Sequence, residues 1–192
     1  MDKIILASSS PRRSDILKTA GIPFEVVTSD ADETCPPGLA PDEYTVTLAV
    51  RKLNAVYEMT KSERLILAAD TVVAADGLIL GKPEDEEDAY RMLKMLSGRV
   101  HHVYTGIAMK KGDKLVTDCG VTAVKMRYLT DAEIRDYIAT GEPFGKAGSY
   151  AVQERGGALV ETVNGNYQNV VGLPIDLVIT HLKNDFGVGI FS

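Results

Sequence analysis

The sequence predicts an α/β protein built on a mixed, partly antiparallel long sheet flanked by helices. Two apolar runs, residues 4–7 and 65–73, read as buried strands. Between and after them lie segments with helical spacing of apolar residues, among them the amphipathic stretch 84–96. Two hairpin signals, Asp76-Gly77 and Lys111-Gly112-Asp113, impose antiparallel pairs beside any parallel ones. Strands and helices also mix without strict alternation, which argues against a regular doubly wound sheet.

The elements follow in order. After the strand at 4–7, Ser10 stands at a helix N-cap with Pro11 at the first helical position. Ile16, Leu17 and Ala20 form that helix's apolar face, and Gly21 stops it. Residues 24–27 suit a strand, and the polar, Pro-containing stretch 30–41 suits a loop. Residues 42–60 read as a helix, with Tyr44, Leu48, Leu53, Val56 and Tyr57 near one stripe. The strand at 65–73 leads into the Asp76-Gly77 turn. The helix at 84–96 opens on acidic residues and is followed by Gly98. Residues 100–109 and 115–126 make a long hairpin. Thr130-Asp131-Ala132-Glu133 is a capping box opening a helix that Gly141 closes. A strand at 159–163 and a helix at 175–182 complete the chain.

Composition narrows the function. With 192 residues and 45% hydrophobic content, the chain can bury a core without staples. Its 27 acidic and 21 basic residues give a net charge of −6, which disfavours nucleic acid as a partner but leaves room for a small anion held by a local cationic cluster. Cys35 and Cys119 lie far apart with no CxxC, so neither a disulfide framework nor a structural zinc site is expected. No run approaches the ~20 apolar residues of a membrane span, and the first residues lack signal-peptide character. A cytoplasmic protein with no membrane partner is therefore expected.

Two places attract chemistry. In Ser8-Ser9-Ser10-Pro11-Arg12-Arg13, a hydroxyl-rich turn leads from a strand into a helix. The free N–H groups and positive dipole of that helix start favour an anion. Arg12 and Arg13 oppose the dipole, and phosphate oxygens would offset the cost; two solvated arginines behind an ordinary cap are the alternative. Asp70 is the single charge in the apolar run 66–73. A carboxylate there is costly unless paired, metal-bound or at the sheet's end. Glu33 lies in an acidic loop, Lys52 on a partly buried helix and Lys82 in Gly81-Lys82-Pro83; each is also compatible with plain surface. The Gly-rich stretch around Lys146 is not a P-loop. His101 and His102 are adjacent and point to opposite faces of a strand, and His181 reads as helix surface, so a histidine-centred mechanism is disfavoured. Residues 165–174 suit a turn or a pocket wall.

Taken together, several motifs resemble the Maf family. They are Ser8-Ser9-Ser10-Pro11-Arg12-Arg13, the segment 41–52, Ala69-Asp70-Thr71-Val72-Val73, Leu80-Gly81-Lys82-Pro83, Leu96-Ser97-Gly98 and Thr105-Gly106. Glu142-Pro143-Phe144, Lys146-Ala147-Gly148 and the stretch 169–174 extend the series in family order across residues 6–176. The resemblance implies one domain over residues 1–192, with two lobes around a cleft as in the inosine triphosphatases. It implies a nucleoside triphosphate pyrophosphatase that uses a divalent metal, Mg²⁺ or Mn²⁺, often forms a homodimer, and is linked to septum formation. Gly148 to Gln153 and the stretch 169–174 are similar to the branch acting on dTTP and UTP. By that resemblance Ser8, Ser10, Arg12, Arg13, Lys52, Lys82 and Lys146 bind the phosphates, and Gln153 reads the base. Glu33 and Asp70 serve the metal, and Asp70 activates water. The family usually has Asp where this chain has Gly145. The competing expectations are a nucleotide-binding cell-division regulator without catalysis, or a pyrophosphatase for 7-methyl-GTP or modified nucleotides.

Overall fold

The computed structural model describes residues 2–189. Its elements are β1 (Ile4–Leu6), α1 (Pro11–Thr19), β2 (Phe24–Val26), α2 (Pro41–Thr60), β3 (Ile66–Ala75), β4 (Leu78–Leu80) and α3 (Glu86–Leu96). They continue with β5 (Val100–Lys111), β6 (Lys114–Met126), α4 (Asp131–Ala139), β7 (Val160–Asn164), α5 (Tyr167–Val171) and α6 (Ile175–Asn184). The strands form one seven-stranded sheet in the order β2-β1-β3-β5-β6-β7, with β4 paired to β3 off that path. β1 pairs parallel with β2 and β3, while β3–β4 and β6–β7 are antiparallel. The sheet is mixed, as the hairpin signals require. The chain divides into two compact units: Met1–Asp70, Thr105–Gly120 and Gly172–Ser192 form the first, and Thr71–Tyr104 with Val121–Val171 the second. No helix among the described residues is long and apolar enough to cross a membrane.

In the first unit, strand residues alternate between two cores. Ile4, Leu6, Leu65, Leu67, Ala69, Ile107 and Met109 pack with Leu17 of α1 and with Val178 and Leu182 of α6. Their pleat neighbours Ile5, Ala7, Ile66, Ala68 and Ala108 pack with Ala49, Leu53 and Val56 of α2. Both faces are covered, which is why these strands read as unbroken apolar runs. Complete burial of Leu53 alone contributes on the order of 2 kcal/mol. Gly106 lets α2 sit directly on β5: a Cβ there would lie 2.4 Å from the Val46 nitrogen. The parity of β3 then sends Asp70 to the α2 face, after Ala68.

The second unit has a single core. Ala89, Met92, Leu93 and Leu96 of α3 and Ile134, Tyr137 and Ile138 of α4 pack against Val73, Leu80, Val103, Val124 and Met126. Strand residues facing the other way, such as Val100, His102 and Val121, are exposed. The capping box holds: the Thr130 hydroxyl accepts from Glu133 N–H at 3.2 Å, and the Glu133 carboxylate accepts from Thr130 N–H at 2.8 Å. α3 starts at Glu86, later than the acidic run suggested, because the Asp85 side chain takes the cap and accepts from Asp88 N–H at 2.8 Å.

Two expectations need correction. Ser10 occupies the N-cap of α1, but its hydroxyl makes no cap bond; Ser8 Oγ turns inward and accepts from Ser10 N–H at 3.2 Å. Within 165–174, Tyr167–Val171 forms the short helix α5.

Candidate functional site

The first unit contains seven of the residues singled out by sequence: Ser8, Ser10, Arg12, Arg13, Glu33, Lys52 and Asp70. β1 ends into α1, and the first turn of α1 points Arg13 inward, where it is 9% exposed. Arg13 Nε donates to the Gly172 carbonyl at 2.8 Å, and Nη1 donates to Ser8 Oγ at 2.9 Å. Burial pushes this guanidinium below its ordinary value, while the charges of Asp70 and Glu33 pull it back up. Arg13 therefore lies in the field of both carboxylates, and the half-buried Arg12, which precedes it on the helix, adds a like charge beside it.

Lys52 stands on α2 one turn beyond Leu48 and Ala49, at the edge of the buried stripe, so its side chain reaches β3 rather than solvent. Its Nζ lies 2.5 Å from Asp70 Oδ1 and 2.8 Å from Glu33 Oε1. Lys52 and Asp70 are mostly enclosed, with side chains 17% and 14% exposed, whereas Glu33 is open to solvent. Helix, strand and loop thus converge on one ammonium. The pairing answers the cost of placing Asp70 in an apolar strand. Tyr44, half-buried on α2, sits near the same charges: burial, then Cys35, Asp70 and Glu33, push its phenol up.

The second unit holds the other three. Lys82 is exposed, beside the buried Pro83. Lys146 is mostly enclosed; its Nζ donates to the Glu142 carbonyl at 3.2 Å and lies 4.0 Å from Glu154 Oε1. Gln153 is exposed, and its Nε2 donates to the same Glu154 oxygen at 3.3 Å. The Lys82 and Lys146 segments are tied together, because Gly148 N–H donates to the Gly81 carbonyl at 3.0 Å. Gly148 and Ser149 both have positive φ, 67° and 65°. A Cβ on Gly148 would lie 2.7 Å from Val73, so this segment admits little besides glycine there. Gly145, where a family aspartate was expected, also has positive φ and open space around it.

Sequence reasoning missed several residues. Arg51 grips the loop that carries Glu33, and Glu154 joins Lys146 to Gln153. Glu142 accepts from Tyr137 Oη at 2.8 Å and from the N–H groups of Gly156 at 2.7 Å and Arg155 at 3.1 Å, which anchors the segment behind Lys146. Of the histidines, His101 is buried and His102 exposed, on opposite faces as expected. His181 is not plain helix surface. Its ring lies between Asp185, 2.8 Å from Nδ1, and Asp118, 2.9 Å from Nε2.

A mixed α/β protein with clustered cations, two carboxylates on one ammonium and no histidine among them is suited to a polyanionic substrate. The family whose profile matches residues 3–185 is described as "Maf-like protein", and the chain belongs to it. A protein named dTTP/UTP pyrophosphatase from Bacillus cereus is 46% identical over 95% of this chain and 90% of its own. Its namesake from Bacillus cytotoxicus is 47% identical over 95% of each chain. Among solved structures, the Ham1 protein of Staphylococcus aureus aligns over 65% of this chain and 72% of its own at 16% identity, with a TM-score of 0.47.

Proposed function

We propose that this protein hydrolyses dTTP and UTP to the nucleoside monophosphate and pyrophosphate. The observation that carries the reading is Asp70: a carboxylate at the end of a buried stretch of strand, mostly enclosed, paired with Lys52 and near the Arg13 guanidinium. The names of the relatives support the substrate.

In this reading Arg12, Arg13, Lys52, Lys82 and Lys146 neutralise phosphate oxygens, with Ser8 and Ser10 at the start of α1, and Gln153 reads the pyrimidine edge through its amide. Asp70 orients a water and takes its proton. The water oxygen bonds to the α phosphorus, the bond from that phosphorus to the bridging oxygen breaks, and pyrophosphate leaves. Glu33 and Asp70 present hard carboxylate oxygens to one point, a donor set that suits Mg²⁺ or Mn²⁺ together with substrate phosphates. Among the described residues no group of three or more His, Cys, Asp or Glu side chains that could hold a metal occurs. When bound, the ion supplies charge neutralisation on the phosphates.

The test is a panel of nucleoside triphosphates incubated with Mg²⁺ or Mn²⁺, with products separated by anion exchange. Monophosphate and pyrophosphate from dTTP and UTP in preference to ATP and GTP are expected. Direct formation of a diphosphate and orthophosphate overturns the mechanism, preference for 7-methyl-GTP overturns the substrate assignment, and nucleotide binding without turnover points to a regulator.

A further inference from the structure

Glu33 is placed by a loop with no regular structure of its own, since β2 ends at Val26 and α2 begins at Pro41. Something other than a backbone ladder must fix it. The neighbours of Glu33 show what does. Asp32 closes a tight turn over it: one carboxylate oxygen accepts from Thr34 N–H at 2.9 Å, and the other accepts from the Thr34 hydroxyl at 2.9 Å. Arg51 then reaches from α2 to the peptide carbonyls on both sides of Glu33. Its Nη1 donates to the Thr34 carbonyl and, at 3.4 Å, to the Asp32 carbonyl, and it lies 3.9 Å from Asp32 Oδ2. The next helix residue, Lys52, holds the Glu33 carboxylate itself.

We propose that Arg51 is a positioning residue: it clamps the backbone flanking Glu33 so that the carboxylate is presented beside Asp70 even when Lys52 turns to a phosphate. Two consecutive helix residues thus divide the work. Arg51 fixes the main chain through the Asp32 and Thr34 carbonyls, with the Asp32 carboxylate beside its guanidinium. Lys52 makes a charge pair that an incoming polyanion can exchange. The proposal rests on the role given to Glu33 above. Arg51 has no direct part in the chemistry and touches no reacting atom.

Cys35 provides a readout independent of turnover, because it follows Thr34 directly and is half-buried. In a Cys119→Ser background Cys35 is the single thiol, and its labelling by an aromatic disulfide reagent reports how firmly the loop is held. Arg51→Met, which keeps the apolar stem, is expected to speed that labelling several-fold and leave the melting temperature close to the parent's. Turnover should fall about 10-fold, within the loss that a misplacement of about 1 Å can cause. The Mg²⁺ concentration for half-maximal turnover should rise, while KM for dTTP at saturating Mg²⁺ holds. Arg51→Met should also add little to Glu33→Gln, as expected when two residues act through one group. Parental labelling and turnover in Arg51→Met overturn the proposal, as do losses that multiply independently in the double variant. Parental turnover in Glu33→Gln is a separate failure: it removes Glu33 from the reaction and overturns the reading on which Arg51's role depends.

Discussion

Glu33 and its clamped loop apart, the two units hold their charged residues by different means. In the first, Arg13, Lys52 and Asp70 project from regular helices and a strand, and their positions are fixed by pairing with one another or with nearby oxygen atoms. In the second, Lys82, Lys146 and Gln153 sit on irregular segments whose backbone is fixed by turns, a buried proline and the hydrogen bond from Gly148 to Gly81. The cores differ in parallel. Strands of the first unit bury both faces, and those of the second bury one. A side chain that leaves a two-faced sheet must carry its own counter-charge, whereas one on a surface segment needs only a rigid main chain. The first unit is therefore sensitive to deletion of charge, and the second to changes in backbone freedom.

The largest effect should come from Asp70→Asn. The substitution keeps size and hydrogen-bonding capacity but removes both the base and the charge facing Lys52. Loss of a general base costs roughly 10²–10⁴-fold in turnover. Steady-state kinetics on dTTP, with near-ultraviolet circular dichroism to verify folding, measures it. A folded variant with parental turnover would show that the paired charges of the first unit serve stability alone.

Gly148→Ala tests the other half of the comparison. It deletes no charge and leaves Lys146 in place, yet it should destabilise the protein by about 2–5 kcal/mol. Part of that is the cost of an L-residue in the left-handed region, and part is the overlap with Val73. Urea unfolding reads the loss directly. A neutral result would mean that the segment carrying Lys146 is loosely held, and the contrast between the units would fall.

The same contrast explains what the sequence revealed. Asp70 is legible because a lone charge in an apolar strand announces an unusual environment. The paired strands, hairpins and capping box are legible because each is local: parity, a turn dipeptide, or a reciprocal bond across three residues. The pairing of Lys52 with Asp70 is not, since a lysine at the edge of a helix's buried stripe looks the same whether it meets water or a strand residue 18 positions away, and a role for it comes only from the family resemblance. Arg51 is invisible for the same reason, its carbonyl acceptors lying 17 and 19 positions back along the chain. His181 misled because helix spacing cannot show that Asp118, 63 residues earlier, closes over its ring. Ser10 misled because its position marks the N-cap but not what its hydroxyl does, and it is Ser8 that accepts from Ser10 N–H and from Arg13. α5 has five residues, too few for any period to emerge.

The smallest effect concerns a group in the second unit that lies within the core and not on a surface segment. His101 is 1% exposed on β5, its Nε2 is 2.7 Å from Tyr150 Oη, and its Nδ1 has no hydrogen-bond partner among the described residues. Tyr150 directly follows the strained Gly148-Ser149 pair, so this contact pins the end of the segment that carries Lys146. Burial, with a small contribution from His102, lowers the imidazole from 6.5 to about 4. Above pH 6.5 both folded and unfolded chains hold His101 neutral, and it contributes no pH dependence. As the pH falls from 6.5 towards 4, the unfolded chain binds a proton that the folded chain refuses, so stability declines. The decline amounts to about 1.4 kcal/mol for each pH unit and on the order of 3 kcal/mol in all. His101→Gln retains a polar partner for Tyr150 but cannot titrate. Urea unfolding of parent and variant at intervals from pH 7 to pH 4 should give a steeper acid loss in the parent, with the carboxylates common to both cancelling in the difference. Parallel curves would show that His101 takes up its proton as readily in the fold as outside it, and that the core of the second unit tolerates a charge the comparison says it excludes.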